Sequence, residues 1–245
     1  MRHWLRSYQL LLRWNFLQLR STLPLLLVVQ TLISVGVVLG FSFLVPQMDA
    51  PTALYLATGA PTIALIIVGM VMLPQVVAQQ KLTGVFDYVR AMPVPRLAIL
   101  AGDATVWVAV ALPGLVASLG VAALRFDLSF AVSPLVVPAV LLVATSTVAI
   151  GYGVGYATKP AVASIISQMI IIVALMFAPV NYPAERLPDW LAEAHRWLPF
   201  TYMAQAVRET LSVPPGGVAT APFAVLAVWS AVGLAITYRV MTRRP

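Results

Sequence analysis

The chain has 245 residues, of which 61% are hydrophobic and only 9% charged, with a formal net charge of +7. Soluble domains hold about 25% charged residues, so the deficit excludes an ordinary soluble globule and predicts a single membrane domain over 1–245. Cysteine is absent, which excludes disulfides, thiol nucleophiles and cysteine-based zinc sites.

In residues 1–21, Arg2, Arg6, Gln9, Arg13 and Arg20 share one helical face, and Trp4, Leu5, Tyr8, Leu11, Leu12, Phe16 and Leu19 the other. That pattern predicts a helix lying in the membrane interface with its arginines toward anionic lipid headgroups. The dispersed arginines do not fit a cleavable secretory signal, which has a basic start followed by an uninterrupted apolar run. Six later stretches reach the roughly 20 apolar residues needed to cross a bilayer: 22–45, 54–77, 98–123, 134–157, 161–180 and 220–241. The expected fold is therefore an all-α membrane bundle of six transmembrane helices. Pro24, Pro61, Pro74, Pro113 and Pro138 fall within spans, where neighbouring helices tolerate them.

Charge asymmetry predicts the orientation. With both termini cytoplasmic, the inner side carries 11 basic and 2 acidic residues and the outer side 4 basic and 6 acidic. The high isoelectric point of about 10.1 thus reflects orientation and contact with membrane lipids. Nucleic acid is not an expected partner, because the arginines are split among termini and loops.

The loop at 79–97 falls on the inner side. Gly84 interrupts the chain, residues 85–92 have room for about two helical turns, and Pro93 and Pro95 stop them. Phe86, Val89 and Arg90 fall on one side, and Asp87 and Arg90 are spaced to pair. A short helix of this kind, with aromatic and apolar residues facing the cytoplasm, predicts a docking knob for a partner. Within the spans, Gln30, Thr31 and Ser34, then Thr145, Ser146 and Thr147, then Ser164, Ser167, Gln168 and Met169 are candidates for cavity walls. Serine and threonine also bond between helices, so Gln30 and Gln168 are the preferred pathway residues. Asp103 stands near the inner boundary, where exposure to lipid, a pair with Arg96 and a place in the docking face are all open. The Gly151-Tyr152-Gly153-Val154-Gly155-Tyr156 string has no Lys-Ser/Thr and lies in an apolar helix, so it reads as close helix packing instead of a phosphate loop.

The stretch at 181–219 falls on the outer side. Pro183 and Pro188 break the chain, Asp189 is placed as an N-cap, and a short helix carries Trp190, Leu191, Ala194, Trp197 and Leu198 on one face until Pro199. A second short helix follows from about Thr201 to Leu211, and Pro214-Pro215-Gly216-Gly217 closes the unit. Tyr182, Trp190, Trp197 and Tyr202 suit the outer membrane interface.

Gly84, Asp87, Pro93 and Arg96, followed by Leu97 through Gly102, resemble the inner-loop pattern of ABC-2 type permeases, the membrane subunits of ATP-binding-cassette exporters. Phe177-x-Pro179-Val180, Leu187-Pro188-x-Trp190-Leu191, Leu198-Pro199-Phe200-Thr201-Tyr202 and Ala206-x-Arg208 resemble the family's outer segment. Gln79, Gln80, Lys81 and Leu82 stand where the family often has glutamates, and Asp103 where it often has lysine. The polar residues within the spans give an expected pathway of Gln30, Ser34, Thr145, Ser146, Gln168 and Met169, while the resemblance implies a coupling surface on the inner loop, with Gly84, Phe86, Asp87, Val89, Arg90, Pro93 and Arg96, and a re-entrant outer gate with Tyr182, Trp190, Trp197 and Tyr202. The resemblance also implies a second permease, identical or paralogous, and a cytoplasmic ATPase subunit that binds ATP and Mg²⁺.

The sequence has no Walker A motif, no HExxH or GxSxG, and two histidines, His3 and His195, on opposite sides. No cofactor and no metal site is expected in this chain, and no catalytic residue. The expected activity is export of a drug-like, lipid or other lipophilic cargo across the plasma membrane. A polysaccharide or glycolipid exporter, a passive channel and a membrane scaffold remain alternatives on sequence alone.

Overall fold

The computed structural model describes residues 2–44, 49–92, 94–128, 130–212 and 217–242. Among these there are helices and connecting turns but no strand. Helix α1 (Arg2–Leu19) precedes the first long apolar helix, α2 (Leu23–Leu44). Next come α3 (Ala50–Ile66), a π-helical segment (Ile67–Met72) and α4 (Leu73–Leu82), which run on as one rod. The short α5 (Val85–Ala91) leads to the long α6 (Arg96–Phe126), then α7 (Val136–Ala157). Helix α8 (Pro160–Ile172) ends in a second π-helical turn (Val173–Phe177), and a 3₁₀ turn (Ala184–Arg186) follows. Helices α9 (Asp189–His195), α10 (Pro199–Ser212) and α11 (Ala221–Thr242) complete the chain.

Six stretches are long and apolar enough to cross a membrane: Leu23–Phe43, Pro51–Leu82, Arg96–Phe126, Val136–Ala157, Pro160–Phe177 and Ala221–Thr242. All six expected spans are present, and the fold is an all-α membrane bundle. The second is longer than its apolar run predicts, at 32 residues. Pro74 lacks an N–H, and its ring would crowd the carbonyl of Met70 in a regular helix. Met70 lies inside the π-helical segment, whose wider turn gives the ring room. The rod therefore continues through Pro74 to Leu82.

Two helices organise the packing. Helix α6 receives α1, α2 and α3, while α7 packs against the π-helical segment, α4 and α11. Glycines allow the second arrangement. A Cβ on Gly151 would collide with the carbonyl oxygen of Gly69, and one on Gly155 would lie 2.9 Å from Val77 Cβ. Gly153 meets Gly233 of α11 on the opposite side of the helix. The glycine string is thus a two-sided packing surface, as read from sequence.

The expected face of α1 is revised. Its buried stripe is Ser7, Leu11 and Asn15, with Leu11 seated against Gly102 of α6. Leu5 and Phe16 stay exposed, so the apolar side of this helix is only partly used by the protein. Around the outer segment two boundaries also shift. Asp189 is the first residue of α9, preceded by Pro188 at the cap position without a side-chain cap bond. Pro199 begins α10 instead of ending α9, consistent with proline's preference for the first helical turn.

Candidate functional site

At one end of the bundle, Gly84 adopts a left-handed conformation, φ 76°, which glycine reaches without a Cβ penalty. This turn folds α5 back from the end of α4. The expected orientation of α5 is reversed for two residues. Val89 is buried, and Phe86 packs against Tyr156 with ring centroids 5.3 Å apart. The outward face consists of Asp87 and Tyr88, with Tyr88 64% exposed, next to exposed Leu82. Arg96 donates to the Val89 carbonyl at 3.4 Å, tying α6 to the end of α5. Pro93 and the Arg90 side chain lie outside the described residues, and so does any Asp87–Arg90 pair.

Lys81, absent from the sequence-based coupling set, joins these parts. Its ammonium donates to the Tyr156 and Thr158 carbonyls at 2.9 and 2.8 Å and lies 5.5 Å from the Phe86 ring centre. A lysine at the C-terminus of α7 meets carbonyls with no partner inside the helix, where a positive charge is favourable. Tyr156 also stacks on Tyr152, 5.5 Å between centroids. A continuous aromatic and polar chain thus links α5 to the interior of α7.

That chain ends at a small cavity with mixed polar and apolar walls. Asn15, Gln18, Gln80, Asp103, Trp107 and Tyr152 are among its lining residues. Asn15 donates its amide to the Asp103 carboxylate, so Asp103 serves α1, not Arg96 as one sequence reading had it. The buried Tyr152 hydroxyl faces the same carboxylate.

At the other end, α10 returns between α3, α7 and α11. Arg208 is its clasp. The guanidinium donates to Thr58 Oγ1 at 3.1 Å and to the Val180 carbonyl at 2.7 Å, and it lies 3.7 Å from the centre of the Tyr55 ring. Burial lowers its pKa to about 10, opposed by Tyr55 and Glu209, so it remains charged at neutral pH. Gly59 permits the approach of the 178–181 break, since a Cβ there would strike Val180 and Asn181. Tyr182 donates to the Met176 carbonyl and Tyr202 to the Arg196 carbonyl, both at 2.9 Å. Burial raises the Tyr182 pKa. Trp190 and Trp197 point outward and are exposed. His195 is buried edge-on against Phe200, and burial lowers its pKa.

The family model for ABC-2 type transporters matches residues 6–212. The chain belongs to the ABC-2 type transporter family. No curated protein matched it in a sequence comparison. As an ABC-2 membrane domain, the chain is a transport component of the membrane.

The expected ABC-2 pathway residues do not converge inside one chain. Gln30 is buried and donates to the Ala64 carbonyl at 2.8 Å, and Ser34 bonds back to Gln30 within α2. Thr145 bonds back within α7, and Ser146 reaches Ser230 of α11 at 2.7 Å. Gln168, a preferred pathway residue from the sequence, is exposed on α8, together with Met169. They lie on three different helices, α2, α7 and α8. Arg208 and Lys81 were legible as single charges beside apolar helical stripes. Asn15 gave no such signal, because its burial depends on how α1 rolls onto α6.

Proposed function

We propose that this ABC-2 type chain is the permease of an exporter driven by a separate cytoplasmic ATPase, which supplies the ATP and Mg²⁺ site. The observation that carries the reading is α5. It hangs from the most buried rod of the bundle, exposes Asp87 and Tyr88, and is tied through Phe86 and Lys81 to the end of α7. A push on α5 therefore reaches two packed helices instead of dissipating in a loop. Gly84, Phe86, Val89, Arg90, Pro93 and Arg96 shape or support this coupling surface, and Asp87 and Tyr88 meet the ATPase. Both termini and α5 face the cytoplasm in this reading, in the plasma membrane, and α1 rests at the lipid interface.

A second permease, identical or paralogous, covers α8. Its open face, with Gln168 and Met169 between Ile165 and Ile172, is largely apolar with one amide. Such a wall suits a lipophilic or amphiphilic cargo. The outer segment, held by Arg208 and bearing Tyr182, Trp190, Trp197 and Tyr202, gates release.

The test is ATP-dependent export by the assembled complex carrying Asp87→Ala with Tyr88→Ala. Export should fall to background while membrane insertion stays normal. Export at the wild-type rate would remove the coupling assignment.

A further inference from the structure

We propose that the groove between α9 and α11 binds one phosphatidylethanolamine, its headgroup on Glu193, Arg196, Trp197 and Trp229 and an acyl chain laid along α11. The groove has a volume of about 610 Å³, and its lining includes these four residues with Tyr202 and Val228. Small-molecule sites have roughly 300–1,000 Å³. Helix α9 packs on α10, which leaves this space open beside α11. The groove flanks the first turns of α11, at one end of the span Ala221–Thr242. Lipid headgroups therefore reach it whichever side of the membrane it faces.

Two observations select a zwitterionic lipid. The first is charge. Arg196 and Glu193 form an exposed ion pair at 2.8 Å, which presents a cation and an anion side by side at the mouth. A phosphate joined to an ammonium is the complementary pair. An exposed salt bridge holds its partners weakly, so each takes a second partner at little cost. The carboxylate disfavours an anionic headgroup. A primary ammonium donates charge-assisted hydrogen bonds to it, which a trimethylated one cannot do.

The second observation is the pair of indoles. The ring N–H groups of Trp197 and Trp229 donate to no protein acceptor among the described residues. An indole is a donor only, and a donor left unmade in apolar surroundings is costly. A phosphate oxygen supplies the acceptor for Trp197 at the rim. Trp229 stands about 12 Å further along the axis than Ala221, at the level of an ester carbonyl. Tyr202 directs its hydroxyl to the Arg196 carbonyl at 2.9 Å, and its ring face is left for the ammonium. Below the headgroup, Val228, Val232 and Ile236 are exposed in a row at four-residue spacing. They extend about 12 Å along the helix and give an acyl chain a continuous apolar track. A lipid seated this way joins α9 to the last span. The site needs neither an ATPase nor transport, so it stands apart from the permease reading.

The purified full-length chain in detergent tests this directly. Its melting midpoint is followed as phosphatidylethanolamine, phosphatidylcholine or phosphatidylglycerol with identical acyl chains is added. Binding to the folded state predicts a saturable rise of about 3 °C with phosphatidylethanolamine and under about 1 °C with the other two. Glu193→Gln should lower the phosphatidylethanolamine response to that of phosphatidylcholine. Trp229→Phe keeps a ring and removes the N–H, and should weaken the apparent affinity several-fold; Trp197→Phe, at an exposed position, serves if Trp229→Phe does not fold. Equal rises with all three lipids would mean an adventitious additive only and would overturn the proposal. So would a phosphatidylcholine response matching that of phosphatidylethanolamine, a larger response to phosphatidylglycerol, or a phosphatidylethanolamine preference that survives Glu193→Gln.

Discussion

The spans Pro51–Leu82 and Pro160–Phe177 have the same mean hydropathy, 2.2, over an 18-residue stretch, yet 94% of that stretch is buried within the protein in the first and 17% in the second. Both are membrane helices by composition; what separates them is side-chain size. The first carries Ala53, Ala57, Gly59, Ala60, Ala64 and Gly69, which let α7 and the 178–181 break come close. The second turns only Ala163, Ser167 and Ala174 inward and leaves Ile165, Met169, Ile172 and Met176 outside. Without a hydrophobic drive between helices in lipid, small residues and interhelical bonds decide which helix becomes the core. The buried rod ends in α5, whereas the open helix presents a wall to lipid or to another subunit.

The largest effect is expected where the rod meets α7. Gly151→Leu places a side chain into the Gly69 backbone, which side-chain rotation cannot relieve. A loss of about 4 kcal/mol or more is expected, seen as failure to accumulate or a collapsed melting transition. Wild-type melting would break the claim that this contact sets the core.

Next is the clasp on the same rod. Arg208→Leu removes two hydrogen bonds and the stacking on Tyr55. It also leaves the Val180 carbonyl without that donor. About 2–3 kcal/mol should be lost, together with protection of the 178–181 backbone from hydrogen exchange. Unchanged protection there would show that α10 is held by apolar packing alone.

The pH response should be smaller. Burial holds the His195 pKa below its ordinary value of 6.5. Above pH 6.5 folded and unfolded chains are both neutral at this site. Below it, the unfolded chain takes up a proton that the folded one resists, so stability falls with pH until the lower folded pKa is passed. The melting midpoint should drop on acidification below about pH 6.5, and His195→Met should flatten that slope. An identical slope in the variant would assign the acid sensitivity to other groups.

The smallest effect sharpens the comparison from its other side. Ile165→Cys on α8 should change the melting midpoint by less than about 0.5 kcal/mol equivalent. The chain has no other cysteine, so oxidative cross-linking in membranes reads this position cleanly. A cross-linked species containing a second permease would support α8 as the covered wall; a monomeric product alone would leave that wall to lipid.

Much of this was legible in the sequence because membrane spans are written in long apolar runs, and their order and number follow directly. Gly84 and the glycine string also announced their roles, since few other residues fit a left-handed turn or a backbone contact. Rotation about a helix axis was not legible. Phe86 and Val89 faced inward, and Gln168 faced outward, because these rolls depend on Tyr156, Lys81 and α4 from distant parts of the chain. Apolar residues surround a spanning helix on all sides, so periodicity carries little information about which side is core. The Asn15–Asp103 bond was hidden for the same reason: the residues are 88 positions apart, and neither announces the other.

In the proposed mechanism, work from a separate ATPase enters through the outward face of α5. A photo-cross-linking amino acid at Tyr88, in membranes containing the intact assembly, tests it most directly. The expected result is a cross-link to a Walker-A-containing subunit whose yield changes when ATP binds. A cross-link only to lipid, or none with or without ATP while export continues, would contradict it.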